Sequence, residues 1–212
     1  MPSGTIARAM VPDGVVDVFA AAGLKKPDIS ILSDEFLGQV RDMPQRNLAI
    51  ELLEKLLKGE IKARATRNVV QARSFGEMLE TSLRKYQNRA IEASQVIEAM
   101  IQLAKDMRAA STRGEALGLT DEEVAFYDAL ETNDSAVRVL GNGALCTIAR
   151  ELLVTVRANT TIDWTVRESV RANLRVLIKR ILRKYGYPPD KQEQATATVL
   201  MQAELLSGGW SG

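Results

Sequence analysis

The sequence contains no histidine. That absence removes the usual general base, the serine–histidine and cysteine–histidine nucleophile pairs, and most zinc-binding sets. A hydrolase built on this chain would have to work with carboxylates and lysines alone. A single cysteine, Cys146, excludes an internal disulfide. Its place in the apolar run ALCTIA predicts a small core residue rather than a reactive thiol, which needs an exposed, electropositive setting. Aromatics make up only 5% of the chain, so the core has to come from Leu, Ile, Val and Ala. No run approaches the ~20 apolar residues of a membrane span, and the opening MPSGTIARAM lacks the apolar stretch of a secretory signal. The expected location is therefore the cytoplasm, with no membrane partner.

Excess charge is also scarce, at a formal +1, but it is unevenly placed. Residues 141–212 hold ten Lys and Arg against six Asp and Glu, whereas residues 115–134 carry seven acids and no base. A second basic run lies at Lys55, Lys58, Lys62, Arg64, Arg67 and Arg73. Such asymmetry suits docking among charged neighbours better than coating a nucleic acid alone.

What is present is helical periodicity. Between Trp164 and Tyr185, Val166, Val170, Leu174, Leu177, Ile178, Ile181, Leu182 and Tyr185 recur at helical spacing and predict one buried face. Asp163 is the expected N-cap, and Gly186 followed by Pro188 and Pro189 the stop. The predicted helix is roughly 33 Å long. Beside its apolar face, Arg167, Arg171, Arg175, Lys179 and Arg183 follow at steps of four, with Arg180 and Lys184 alongside. These cations either shield the apolar stripe with their stems or meet phosphates or an acidic partner. Aromatics that could stack on bases are nearly absent, which disfavours single-strand or sequence-specific readout. Arg171, Arg175, Lys179 and Arg183 are the candidate partner or DNA-backbone contacts, on the expectation that this row turns away from the apolar face.

The rest reads as helices too. Residues 15–24 predict a short helix, and Ser33 caps another that stops before Pro44. The stripe from Leu48 to Ile61 predicts two helices, or one kinked at Gly59. Ser74 with Glu77 reads as a capping box, as does Thr120 with Glu123. A long helix is expected over about 88–110, a loop over 111–119, and a break at ETNDS. Gly141, Asn142 and Gly143 predict a turn before a helix over 144–158. A last helix is expected from Pro188-Pro189-Asp190 to about Leu205, with SGGWSG frayed. No alternation suggests a sheet. The expected fold is all-α, an irregular bundle of about eight to ten helices, with residues 1–45 an approach segment and residues 46–212 the main helical domain.

Three possible chemical motifs fail on context. Pro27-Asp28 with Glu60-Ile61-Lys62 imitates a nuclease pattern in which two carboxylates hold a metal, but Glu60 to Lys62 falls in a helical stretch. Gly141-Asn142-Gly143 has neither the lysine nor the preceding strand of a phosphate loop. Asp121, Glu122 and Glu123 sit where a helix dipole favours acids. No catalytic, metal or cofactor-binding residue is assigned.

The segments GLKKPDISILSDEFL, RNVVQARSFGEMLE, KYQNRAIEASQVIE, EEVAFYDAL, NDSAV and TIDWTVRESVRANLRVLIKRILRKYGYPPDKQEQAT resemble the C-terminal helical region of the restriction (R) subunit of type I restriction-modification enzymes. The resemblance runs over about residues 15–206. It implies a parent endonuclease whose other domains, a nuclease and two motor domains using ATP and magnesium, translocate and cleave DNA. The helical region itself would be non-catalytic and would attach the subunit to a methylase core of modification and specificity subunits. No nuclease or nucleotide-binding motif is present here, so no catalytic residue carries over. The chain reads as an excised domain or a truncated gene product. The alternative role is a DNA-backbone-binding module beside the motor.

Overall fold

The computed structural model describes residues 33–160, 164–165 and 167–210. Among them are eight α-helices and one 3-10 turn, with no strand. The helix expected over 15–24 lies outside the described residues. The helices are α1 Asp34–Arg41, α2 Arg46–Ala65, α3 Val69–Gln87, α4 Ala93–Leu117, α5 Asp121–Glu131, α6 Asp134–Asn159, α7 Glu168–Lys184 and α8 Gln192–Trp210. The chain divides into two compact units, one of Met1–Lys58 with Leu79–Lys105 and the other of Gly59–Met78 with Asp106–Gly212.

In the first unit Ser33 caps α1 as predicted, its hydroxyl accepting from the Phe36 N–H at 3.2 Å. Phe36 and Val40 are buried one helical turn apart, with Leu37 beside them, as are Ala49, Leu53 and Leu56 of α2 and Val96, Met100 and Leu103 of α4. Arg41 pairs with Glu98 at 2.6 Å, joining α1 to α4. Helix α2 itself is continuous: Gly59 is an ordinary helical residue, so the two-helix alternative does not hold.

The second unit is organised around α5, in which every residue from Val124 to Leu130 is buried. Helix α5 packs against α6 and α8, and α7 against the same two. Phe126, Leu145, Leu152, Trp164, Leu174, Ile178 and Val199 meet in one core. Each such side chain contributes about 1.5–3 kcal/mol when fully buried. Cys146 is buried there as expected, and burial pushes its thiol pKa up. The capping box predicted for α5 is present in both directions.

Several boundaries differ from expectation. Ser74 does not start a helix: α3 begins at Val69, where Asn68 Oδ1 accepts from the Gln71 N–H at 3.0 Å, so the cap lies six residues earlier. Helix α4 runs from Ala93 to Leu117, through most of the expected loop. Its Gly114 is there for space, since an added Cβ would stand 3.0 Å from the Leu119 carbonyl oxygen and 3.1 Å from Val124. Gly118, at φ 62°, is the actual terminator. The turn at Gly141 is a kink within α6, at φ 72° and ψ 169°.

By length and composition α6 is apolar enough to cross a membrane, contrary to the expectation that no run is. Here it is broken at Gly141, and Leu145, Ile148, Leu152 and Val156 belong to the core. Helix α8 continues to Trp210 instead of fraying at Ser207. Trp210 Nε1 donates to Glu122 at 2.6 Å and Arg157 lies 5.2 Å above its ring, which hold the last turn in place.

Candidate functional site

Helix α7 is shorter than predicted. It starts at Glu168, with Arg167 in the N-cap position and no side-chain cap. Trp164 precedes it in a turn and is buried, while Asp163 lies outside the described residues. At ~1.5 Å per residue α7 is roughly 25 Å long. Leu174, Ile178, Ile181 and Leu182 are its buried residues, with Val170 and Tyr185 packed partly against the core. Gly186 ends it as expected, and the Tyr187 N–H donates to the Leu182 carbonyl at 2.9 Å.

The cationic row does not stay on one face. Each step of four residues turns about 40° beyond a full helical turn, so positions 171, 175, 179 and 183 wind from one flank towards the outside. Arg171 pairs with Glu204 of α8 at 2.6 Å, and Lys179 with Glu193 at 2.5 Å. Lys179, then Arg175 at longer range, hold the Glu193 carboxyl below its ordinary range. On the other flank Glu151 of α6 receives Lys184 Nζ at 2.7 Å and the Tyr185 hydroxyl at 2.6 Å. Both bonds depress the Glu151 pKa, that from Lys184 the more. Among the described residues Arg175, Arg180 and Arg183 are exposed and form no ion pair or side-chain hydrogen bond. Of the four predicted contacts, two are thus tied to α8 and two are unpaired.

A polar cluster that the sequence reading passed over lies inside the second unit. Asp128 is 4% exposed. Its Oδ2 accepts from Asn68 Nδ2 at 2.6 Å and Gln71 Nε2 at 2.7 Å, while Oδ1 faces Arg113 Nη1 at 3.3 Å. Arg113 also pairs with Glu131 and lies 5.0 Å above the Tyr127 ring. Burial raises the Asp128 pKa, opposed by Gln71, Asn68 and Arg113 in that order. For Arg113 burial works against the charge, but Glu131 outweighs it and the pKa is raised. Nearby, Arg64 donates to Glu60, Gln71, the Met107 carbonyl and Ser111. Gln202 of α8 donates to the Arg67 carbonyl at 2.7 Å and accepts from the Val69 N–H at 3.0 Å. These groups satisfy one another, a structural clasp. Asp128 was visible as the one charge inside the apolar run VAFYDAL, which signals a buried partner without naming it.

The other motifs resolve locally. Glu60 belongs to α2 and pairs with Arg64 at 3.1 Å, while Pro27 and Asp28 lie outside the described residues. Asp121 to Glu123 form the first turn of α5. Among the described residues no group of three acids, cysteines or histidines could hold a metal ion.

The fold and this surface define an all-helical domain with an exposed basic helix and a buried polar clasp around Asp128. Residues 4–208 match the family described as type I restriction enzyme HindI endonuclease subunit-like, C-terminal, and the chain belongs to that family. It is 37% identical over 205 residues to the type I restriction enzyme HindI endonuclease subunit of Haemophilus influenzae, covering 97% of this chain and 19% of that protein. It is 31% identical over 188 residues to a protein of Methanocaldococcus jannaschii that carries the name of the type I restriction enzyme MjaIXP endonuclease subunit, covering 85% of this chain and 17% of that protein. The chain thus spans less than a fifth of either relative. No solved structure matches it.

Proposed function

We propose that this chain is a non-catalytic assembly domain that docks a type I restriction endonuclease subunit onto a methylase core of modification and specificity subunits. In the parent protein, ATP and magnesium bound elsewhere would drive translocation and cleavage of DNA in the cytoplasm. The observation that carries the reading is the state of α7. Ion pairs to α6 and α8 hold both its flanks, yet Arg175, Arg180 and Arg183 have no ion-pair partner among the described residues. A rigid helix with unpaired guanidinium groups is suited to bind a fixed acidic surface. Size-exclusion chromatography with light scattering, mixing the chain with its cognate methylase core, tests the reading. Co-elution without DNA is the expected result, and separate elution would overturn it.

The same three arginines favour a second reading, a DNA-backbone contact. It requires binding to duplex of arbitrary sequence that weakens steeply with salt.

A further inference from the structure

Around α7, Leu174 and Ile178 face the core, and Val176, between them in sequence, points away. Val176 is 58% exposed. Ala172, Arg180 and Arg183 are exposed on the same outward stripe, one helical turn or two from it. Helix propensity does not account for a valine here, because a β-branched residue in an exposed helix interior is less favourable than Ala, Lys or Arg. Core packing does not account for it either.

The cations around it divide by position: on the flanks Arg171 is bound to Glu204. Both lysines of the helix, Lys179 and Lys184, are bound there to Glu193 and Glu151. The outward stripe carries only arginine, unpaired among the described residues. Arginine is enriched and lysine depleted in protein interfaces, because the flat guanidinium is weakly hydrated and grips a carboxylate with two bonds.

We infer that the outward stripe of α7, with Val176 at its centre and Arg180 and Arg183 beside it, seats an acidic protein surface carrying an apolar side chain between carboxylates. The inference rests on the docking reading and specifies its contact. Charge complementarity selects the partner's acids. Val139 and Val154 of α6 are exposed as well, each at 68%; what sets Val176 apart is the pair of unpaired arginines on its own stripe, a combination that fits an acidic protein surface with an apolar side chain better than a phosphate backbone.

The test measures affinity of the full 212-residue chain for the methylase core. The variants are Val176→Ser, the double variant Arg180→Glu with Arg183→Glu, and a control, Arg138→Glu, on α6. Circular dichroism checks that each keeps its helix content. Expected are a loss of about fivefold for Val176→Ser, at least tenfold for the arginine reversal, and less than twofold for the control. If the wild-type chain binds and both α7 variants bind as tightly, this surface is overturned while the docking reading stands. If only the arginine reversal matters, the apolar centre is overturned, and wild-type binding to a duplex would reassign the stripe to phosphates. If the wild-type chain does not bind the core, both readings fall.

Discussion

Asn68 Nδ2 donates to the Asp128 carboxylate at 2.6 Å across 60 residues of sequence, while Oδ1 of the same side chain accepts from the Gln71 N–H and caps α3. One amide thus starts a helix and fastens it to α5. Asn68→Ala removes both bonds, and a loss of about 2–4 kcal/mol is expected in urea unfolding. Asn68→Asp keeps the cap but sets a second carboxyl against Asp128. It is expected to be at least as destabilising near neutral pH, with part of the loss recovered on acidification as one carboxyl takes up a proton. A variant at position 68 within 0.5 kcal/mol of wild type, where ordinary surface changes fall, would show that the clasp adds little.

The Glu151 cluster yields a pH dependence. Its carboxyl pKa is depressed, first by Lys184 and then by Tyr185. A depressed carboxylate adds stability that is present above its unfolded pKa of about 4.3 and lost as pH falls through the folded value. Glu151→Gln should therefore lower Tm near neutral pH, and the gap should close as the pH is taken down through the depressed folded value. A gap independent of pH would count against the pairing.

Two glycines inside helices should respond in opposite directions. Gly59→Ala meets nothing within 4 Å, and the gain in helix propensity should stabilise by about 0.5–1 kcal/mol. Gly114→Ala drives a Cβ against the Leu119 carbonyl and Val124, and should destabilise by about 1–3 kcal/mol. Thermal melts of the two variants, compared with wild type, check the signs.

Trp210 is expected to hold the end of α8. Trp210→Ala loses the bond to Glu122, the Arg157 stacking and the ring's packing, for about 2–3 kcal/mol. Trp210→Phe keeps a ring and loses the indole donor, for about 1 kcal/mol. Faster amide exchange confined to the last turn in Trp210→Ala would support this role, and unchanged exchange there would refute it.

The caps show how far local pattern carried. Ser33 and Thr120 were legible because an N-cap joins residues two or three apart, and the chain's own spacing contains the whole interaction. Ser74 and Glu77 have the same spacing and failed, because Asn68 had already started α3 upstream. Gly114 and Ser207 looked like breaks for a related reason. Their local propensity is poor, yet α4 continues through Gly114, where Leu119 and Val124 leave no room for a side chain, and α8 through Ser207 to Trp210, which Glu122 holds. At the candidate surface, the basic helix and its apolar face were legible, but the shares of Glu151, Glu193 and Glu204 were not.

By itself the sequence determined the all-α class, the buried stripe of α7 and membership of the family, because helical period, caps and long matching segments are properties of order along the chain. Tertiary structure alone decided which cations are engaged and which are unpaired. Steps of four wind around a helix, so a row that is regular in sequence passes from the α8 flank at Arg171 to the open side at Arg183. Whether an acid waits at each position depends on how neighbouring helices pack, and no spacing within α7 contains that.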